Sequence, residues 1–141
     1  MRVVEISDRE EAAAYAAKLL ARWGSEVVKV ESPNRTPPTE ADDRYLNGGK
    51  RRISLDVTAP EDRDRLAALI ADADIVITDA SPADTEAWQL LTLGGGSAVR
   101  VSITPFGLSG PYRDYPATAS TLLAIGCYTF LSGDIGREPL T

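Results

Sequence analysis

Short β-branched runs alternate with helical patterns along nearly the whole chain, and this alternation limits the possible folds more than any other feature. Residues 2–6, 27–30, 53–57, 75–77 and 99–103 read as strands. Between the first two, Ser7 and Glu10 have capping-box spacing, Ala12, Ala16, Leu19 and Trp23 recur on one helical face, and Gly24 supplies a stop. Thr58 and Glu61 repeat the capping spacing with Pro60 in the first turn, and Leu66, Leu69, Ile70 and Ala73 follow an amphipathic helical period. A weaker helix is expected over 82–91, and a last, largely buried one over 119–131. The segment 32–47, with three prolines, reads as a long loop. Strands spaced by helices imply an α/β, Rossmann-like, mostly parallel sheet with helices on both faces, because parallel neighbours need crossover connections. Residues 1–141 form one such unit, and ligands of this architecture bind beyond the carboxyl ends of the strands.

Composition removes several chemistries. The chain has 141 residues, 43% of them hydrophobic and 26% charged, which suits a globular domain able to bury its own core. With no histidine, neither a Ser-His-Asp system nor a His-ligated metal can be built from this chain. A single cysteine makes no internal disulfide and no thiolate metal site. A net charge of −6 argues against nucleic acid or an anionic membrane as partner. No apolar run is long enough to cross a bilayer, and charges follow Met1 too soon for a signal peptide, so a cytoplasmic location is expected.

Four features compete as sites. Gly94-Gly95-Gly96-Ser97 follows a helix and precedes a strand, the reverse of a phosphate-cradling loop, and reads as a plain turn. Cys127, among Leu123, Ile125, Tyr128 and Phe130, reads as a buried small hydrophobe. Phe106 to Tyr112, with Gly107, Gly110 and Pro111, is a rigid turn just past the fifth strand, where either a ligand loop or a structural turn fits. Lys50-Arg51-Arg52 is the one cluster of three adjacent cations. With the amides of Asn47-Gly48-Gly49 it is suited to a phosphate or diphosphate, the alternative being a solvated strand start with Lys50 at the surface. The acidic residues supply no catalytic pair. Glu10, Glu11, Glu61, Asp62 and Asp64 suit helix N-termini, and Asp72, Asp74 and Asp79 flank a strand at exposed positions.

Motifs in order carry a family resemblance. Arg2-Val3-Val4-Glu5-Ile6-Ser7, Tyr15-Ala16 and Gly24-Ser25-Glu26-Val27-Val28-Lys29-Val30-Glu31 resemble the opening of the class III (CaiB/BaiF) CoA-transferases. Tyr45 to Asp56, with Asn47, Lys50 and Arg51, is similar to the family's asparagine–lysine–arginine strand. Leu69 to Ile77 is similar to its next helix–strand junction, and Phe106-Gly107 with Gly110-Pro111-Tyr112 to its glycine–proline loop.

The resemblance implies a CoA-binding domain from an enzyme that moves CoA between carboxylic acids, with acyl-CoA or CoA as ligand. In that chemistry an aspartate attacks the thioester, giving a mixed anhydride and then an enzyme-bound thioester. It implies that Lys50, Arg51 and Asn47 stand near the CoA diphosphate and that Arg35 grips a nucleotide phosphate. It places no catalytic residue in this chain, since Asp134 precedes the nucleophile's position, and the isolated chain is expected to transfer no CoA. Partners are then the rest of a longer polypeptide or a second subunit, with a homo-oligomer expected because the last helix is apolar.

The sequence departs from the family at Ala12-Ala13-Ala14, where a glycine–proline loop is usual, and at Asp79-Ala80-Ser81-Pro82, where an aromatic and a cation are usual. It departs again at Pro116-Ala117-Thr118-Ala119, which lacks an acid or histidine. These changes leave a second reading open, a structural or assembly module that binds no CoA. A flavodoxin-like nucleotide-binding protein ranks third.

Overall fold

The structure is a computed structural model that describes residues 1–7, 11–36 and 38–132. Glu10 of the first capping pair and the turn holding Asp134 lie outside the described residues. The elements run β1 (Arg2–Ile6), α1 (Glu11–Arg22), β2 (Glu26–Glu31), α2 (Glu40–Asn47), β3 (Arg51–Ser54), α3 (Pro60–Ala71), β4 (Ile75–Thr78), α4 (Pro82–Ala87), β5 (Val99–Ser102), α5 (Ala119–Ile125) and α6 (Tyr128–Leu131). The strands form one sheet in the order β3-β2-β1-β4-β5, and every pairing is parallel. The chain reverses its direction of travel across the sheet between β1 and β4, the kind of switch point beside which ligands of this architecture bind, at the carboxyl ends of the strands.

Strand alternation sorts the core into two layers. Val3, Val27 and Ile77 point to one face and meet Ala13 and Ala17 of α1. Val4, Ile6, Val30 and Val76 point to the other and meet Leu66 and Ile70 of α3, together with Leu90. Leu66 and Ile70 are four apart, so they share a helix face, and each contributes roughly 1.5–3 kcal/mol by leaving water.

Several expectations change. The buried face of α1 is Ala13, Ala14, Ala17 and Lys18, not the stripe through Ala12 and Trp23, and Trp23 is 78% exposed. Five alanines in six positions leave the period ambiguous, and the close approach of α1 to the sheet selects the small side chains. The expected loop over 32–47 contains α2, which buries only Asn47. Thr39 caps it, acids fill its first turn, and Arg44 pairs with Glu40 at 2.6 Å, so local charge rather than an apolar stripe holds the helix.

Thr58 does not cap α3: its hydroxyl donates to Asp56 (2.6 Å), and the cap position is Ala59. Asp79 is buried at the end of β4, while Asp72 and Asp74 engage Arg2. The last helix is two, broken at Gly126 and at Cys127, whose φ is +60°. Both are exposed rather than buried, with Phe130 at 85%, and Cys127 is exposed with them.

The glycine run is the turn that its position implied. Gly94 has φ +74°, and a Cβ there would stand 2.5 Å from the Ala67 carbonyl oxygen of α3. Gly95 has φ +60° with open space around it. Gly95→Ala is expected to cost about 1–2 kcal/mol for the left-handed backbone alone. Gly94→Ala should cost clearly more, because the clash with backbone adds to the same strain. Urea denaturation of the two variants checks the order, and equal losses would contradict the close approach.

Candidate functional site

A carboxylate lies inside the sheet layer beneath α1. Glu5 of β1 stands in register with Lys29 of β2, and both are buried. Lys29 Nζ donates to Glu5 Oε1 (2.7 Å) and to Ser7 Oγ (2.8 Å), while Ser7 Oγ donates to the same Glu5 oxygen (2.5 Å). Lys50 Nζ donates to the other oxygen, Glu5 Oε2, at 2.6 Å. It also donates to the Ala14 carbonyl of α1 (2.8 Å) and to Asn47 Oδ1 (3.4 Å). The Lys50 side chain is 0% exposed, so the expected surface lysine is an internal brace. Burial pushes its ammonium down from the usual lysine range, and the hydrogen bond and charge of Glu5 oppose that shift.

The three adjacent cations do not form one patch, and strand alternation is the reason. Lys50 turns inward on the α1 side. Arg51 pairs in register with Val28, points to the opposite face, and reaches Glu26 (2.9 Å) at the amino-terminal start of β2. There it helps line a groove of about 790 Å³ between α3 and the sheet, with Val28, Ile53 and Leu69. Arg52 returns to the α1 side, in register with Lys29, and holds Glu31 through bonds of 2.9–3.1 Å and Asp43 at 2.8 Å.

Arg35 reaches Glu31 at 2.5 Å from the loop after β2. Arg35 and Arg52 therefore converge on one carboxylate at the carboxyl end of β2, which is the ligand side of this architecture. Asn47 is buried behind them, donating from Nδ2 to Asp43 Oδ1 (2.8 Å) and accepting the Lys50 backbone N–H at its carbonyl (3.1 Å). That bond from Asn47, with the Arg52 charge behind it, holds the Asp43 carboxyl below the usual range. The stability gained from this depressed pKa is full above the ordinary carboxylate range and is lost as pH falls through the folded value. Asp43→Asn is expected to flatten the acid limb of the stability–pH curve, and an unchanged limb would contradict the contact.

Of the four residues marked by resemblance, the structure thus brings together Asn47 and Lys50, places Arg35 beside Arg52, and sends Arg51 to the other face. The reading from the residues missed Glu5 and Lys29. The signal for both was a charge at an inward-facing position of a β-branched run, RVVEI and EVVKVE.

Past β5, Tyr112 packs against Phe106 (6.3 Å between ring centres) and Tyr115 (5.3 Å). Arg113 ties the same loop to Glu86 of α4 at 2.7 Å. Ser81 Oγ caps α4 by accepting the Asp84 N–H (3.1 Å), so the Asp79-to-Pro82 segment starts a helix and offers neither the aromatic nor the cation of the family pattern.

The buried cluster has an energetic consequence. Glu5→Gln leaves two ammonium groups inside the protein with no carboxylate, and is expected to cost about 3–5 kcal/mol. Arg44→Ala, which breaks an exposed pair, should cost under about 0.5 kcal/mol. Denaturant midpoints decide it, and a Glu5→Gln loss as small as that of Arg44→Ala would show that the carboxylate is not the anchor.

The chain is 29% identical to the succinyl-CoA:(R)-benzylsuccinate CoA-transferase subunit BbsE of Thauera aromatica, aligning over 99% of its own length and 38% of that protein. It is 30% identical to the succinyl-CoA–L-malate CoA-transferase beta subunit of Chloroflexus aurantiacus, over 92% of the chain and 36% of that protein. A CAIB/BAIF family protein from Brucella suis superposes with a TM-score of 0.85 at 29% identity, covering all of this chain and 42% of the other. The chain therefore spans well under half the length of these relatives. The profile of CoA-transferase family III matches residues 1–141, and the chain belongs to that family.

Proposed function

We propose that residues 1–141 are the N-terminal, CoA-binding domain of an enzyme that moves CoA between carboxylic acids, and that the phosphates of CoA are met at the carboxyl end of β2. The observation that supports this most is the convergence of Arg35 and Arg52 on Glu31. Guanidinium groups bind phosphate oxygens in pairs, and here two of them are held at the strand end where ligands of this fold lie. Without ligand, Glu31 and Asp43 keep the two cations in place, and a phosphate takes over part of those bonds.

Asn47 and Lys50 act from behind by fixing the turn that sets Arg52. Arg51, on the other face of β3, stands outside this group. The acyl donor, the acceptor and the attacking aspartate belong to the whole enzyme and enter only through its family. A cytoplasmic location is part of the same proposal.

The second reading, an assembly module, draws support from α5 and α6. Leu122, Leu123, Ile125, Tyr128, Phe130 and Leu131 are all exposed there. An apolar surface of this kind is suited to further chain or to a second copy, which makes a homo-oligomer part of the proposal.

Calorimetric titration with CoA separates the readings. The wild-type chain should bind, and Arg35→Ala with Arg52→Ala should weaken binding about tenfold to a hundredfold, the effect of losing charge-assisted bonds. No binding by the wild-type chain at millimolar CoA, or undiminished binding by the double variant, would overturn the phosphate assignment.

A further inference from the structure

The cluster under α1 contains more positive charge than its own carboxylate can match. Glu5 has two oxygens, and a single lysine with Ser7 would already satisfy one of them (Lys29 at 2.7 Å, Ser7 at 2.5 Å). Lys50 adds a second buried ammonium on the other oxygen. Among the described residues no further acid contacts either ammonium, so the cluster carries one surplus positive charge in a chain whose net charge is −6.

Its surroundings do not cancel this. On this side of the sheet Arg35 and Arg52 are bonded to Glu31 and Asp43, two against two, and the buried Lys18 of α1 and the buried Asp79 after β4 add one charge of each sign. Charges in a poorly polarisable interior act over longer distances than charges in water, and where their field emerges at the solvent-facing strand ends salt screens it. Lys29 stands in register with Arg52 on the same face of the sheet, two residues before Glu31, so the field of the buried ammonium groups reaches the carboxyl end of β2.

We propose that the Lys50–Glu5–Lys29 cluster is an electrostatic determinant of anion binding: it touches no ligand, and its surplus charge favours a phosphate-bearing group beside Arg35 and Arg52. The inference rests on the carboxyl end of β2 being the binding edge. Lys50 is then a positioning residue acting through space and through the Asn47 turn. A neutral side chain of similar length leaves the Glu5–Lys29 pair balanced, so the native fold does not require the second ammonium.

The test uses Lys50→Met and, as a second neutralisation from a different strand, Lys29→Met, each titrated with CoA and with inorganic pyrophosphate at several salt concentrations. Both variants are expected to keep the far-UV spectrum of the parent. Affinity for both anions should fall about tenfold, with a shallower salt dependence than the parent shows. A merely structural lysine would lower stability without changing the salt slope. A folded variant that binds pyrophosphate with the parent's affinity and slope overturns the proposal. A parent chain that binds pyrophosphate but not CoA removes the CoA reading and leaves this one standing, and a parent that binds neither removes both.

Discussion

The Glu5 carboxylate is the interaction on which the rest of the molecule depends. It sits in the central strand of a parallel sheet, where an apolar side chain would ordinarily lie, and Lys29 balances its charge while Ser7 and Lys50 complete its hydrogen bonds. Lys29 ties it to β2, Ser7 to the end of β1, and Lys50 to α1 and to the turn before β3. One buried group thus sets the relative positions of three strands and a helix. Replacing such a network with hydrocarbon is often neutral or stabilising in other proteins, so its presence points to specificity or function more than to stability.

From that anchor the arrangement at the carboxyl end of β2 follows by parity. Because Lys50 turns inward, Arg51 must turn to the opposite face and Arg52 must return, and Arg52 therefore meets Arg35 at Glu31. The sequence cluster Lys50-Arg51-Arg52 is three separate devices: a brace, an arginine paired at the amino-terminal start of β2, and an arginine paired at its carboxyl end. A match to the profile of CoA-transferase family III over the full chain agrees with a sheet built this way, since the Brucella suis family structure superposes over all of it.

Much of this was legible in the residues. The five strands, the α/β class and the structural role of Gly94 to Ser97 came from period and punctuation, and the family came from motifs in order. Three parts were not legible, each for a physical reason. The helix α2 has no apolar stripe because it buries one residue, Asn47, and stands on caps and ion pairs. The buried face of α1 is not legible because alanine gives no amphipathic contrast and Trp23, the large residue at its end, is exposed. The burial of Lys50 is not legible because its partner, Glu5, lies 45 positions away and only the folded sheet brings them together. Parity alone, applied to RVVEI, EVVKVE and the residues around Arg51, would have exposed the inward charges.

The most direct measurement is a chemical-shift map of CoA on the isotopically labelled 141-residue chain. Shifts concentrated at Glu31 to Arg35 and at Arg52 to Leu55, with smaller ones at Asn47 and Lys50, are the predicted result. Shifts concentrated instead around Arg51, Glu26 and Leu69, in the groove under α3, or an unchanged spectrum at millimolar ligand, would contradict the assignment of the carboxyl end of β2 as the CoA edge.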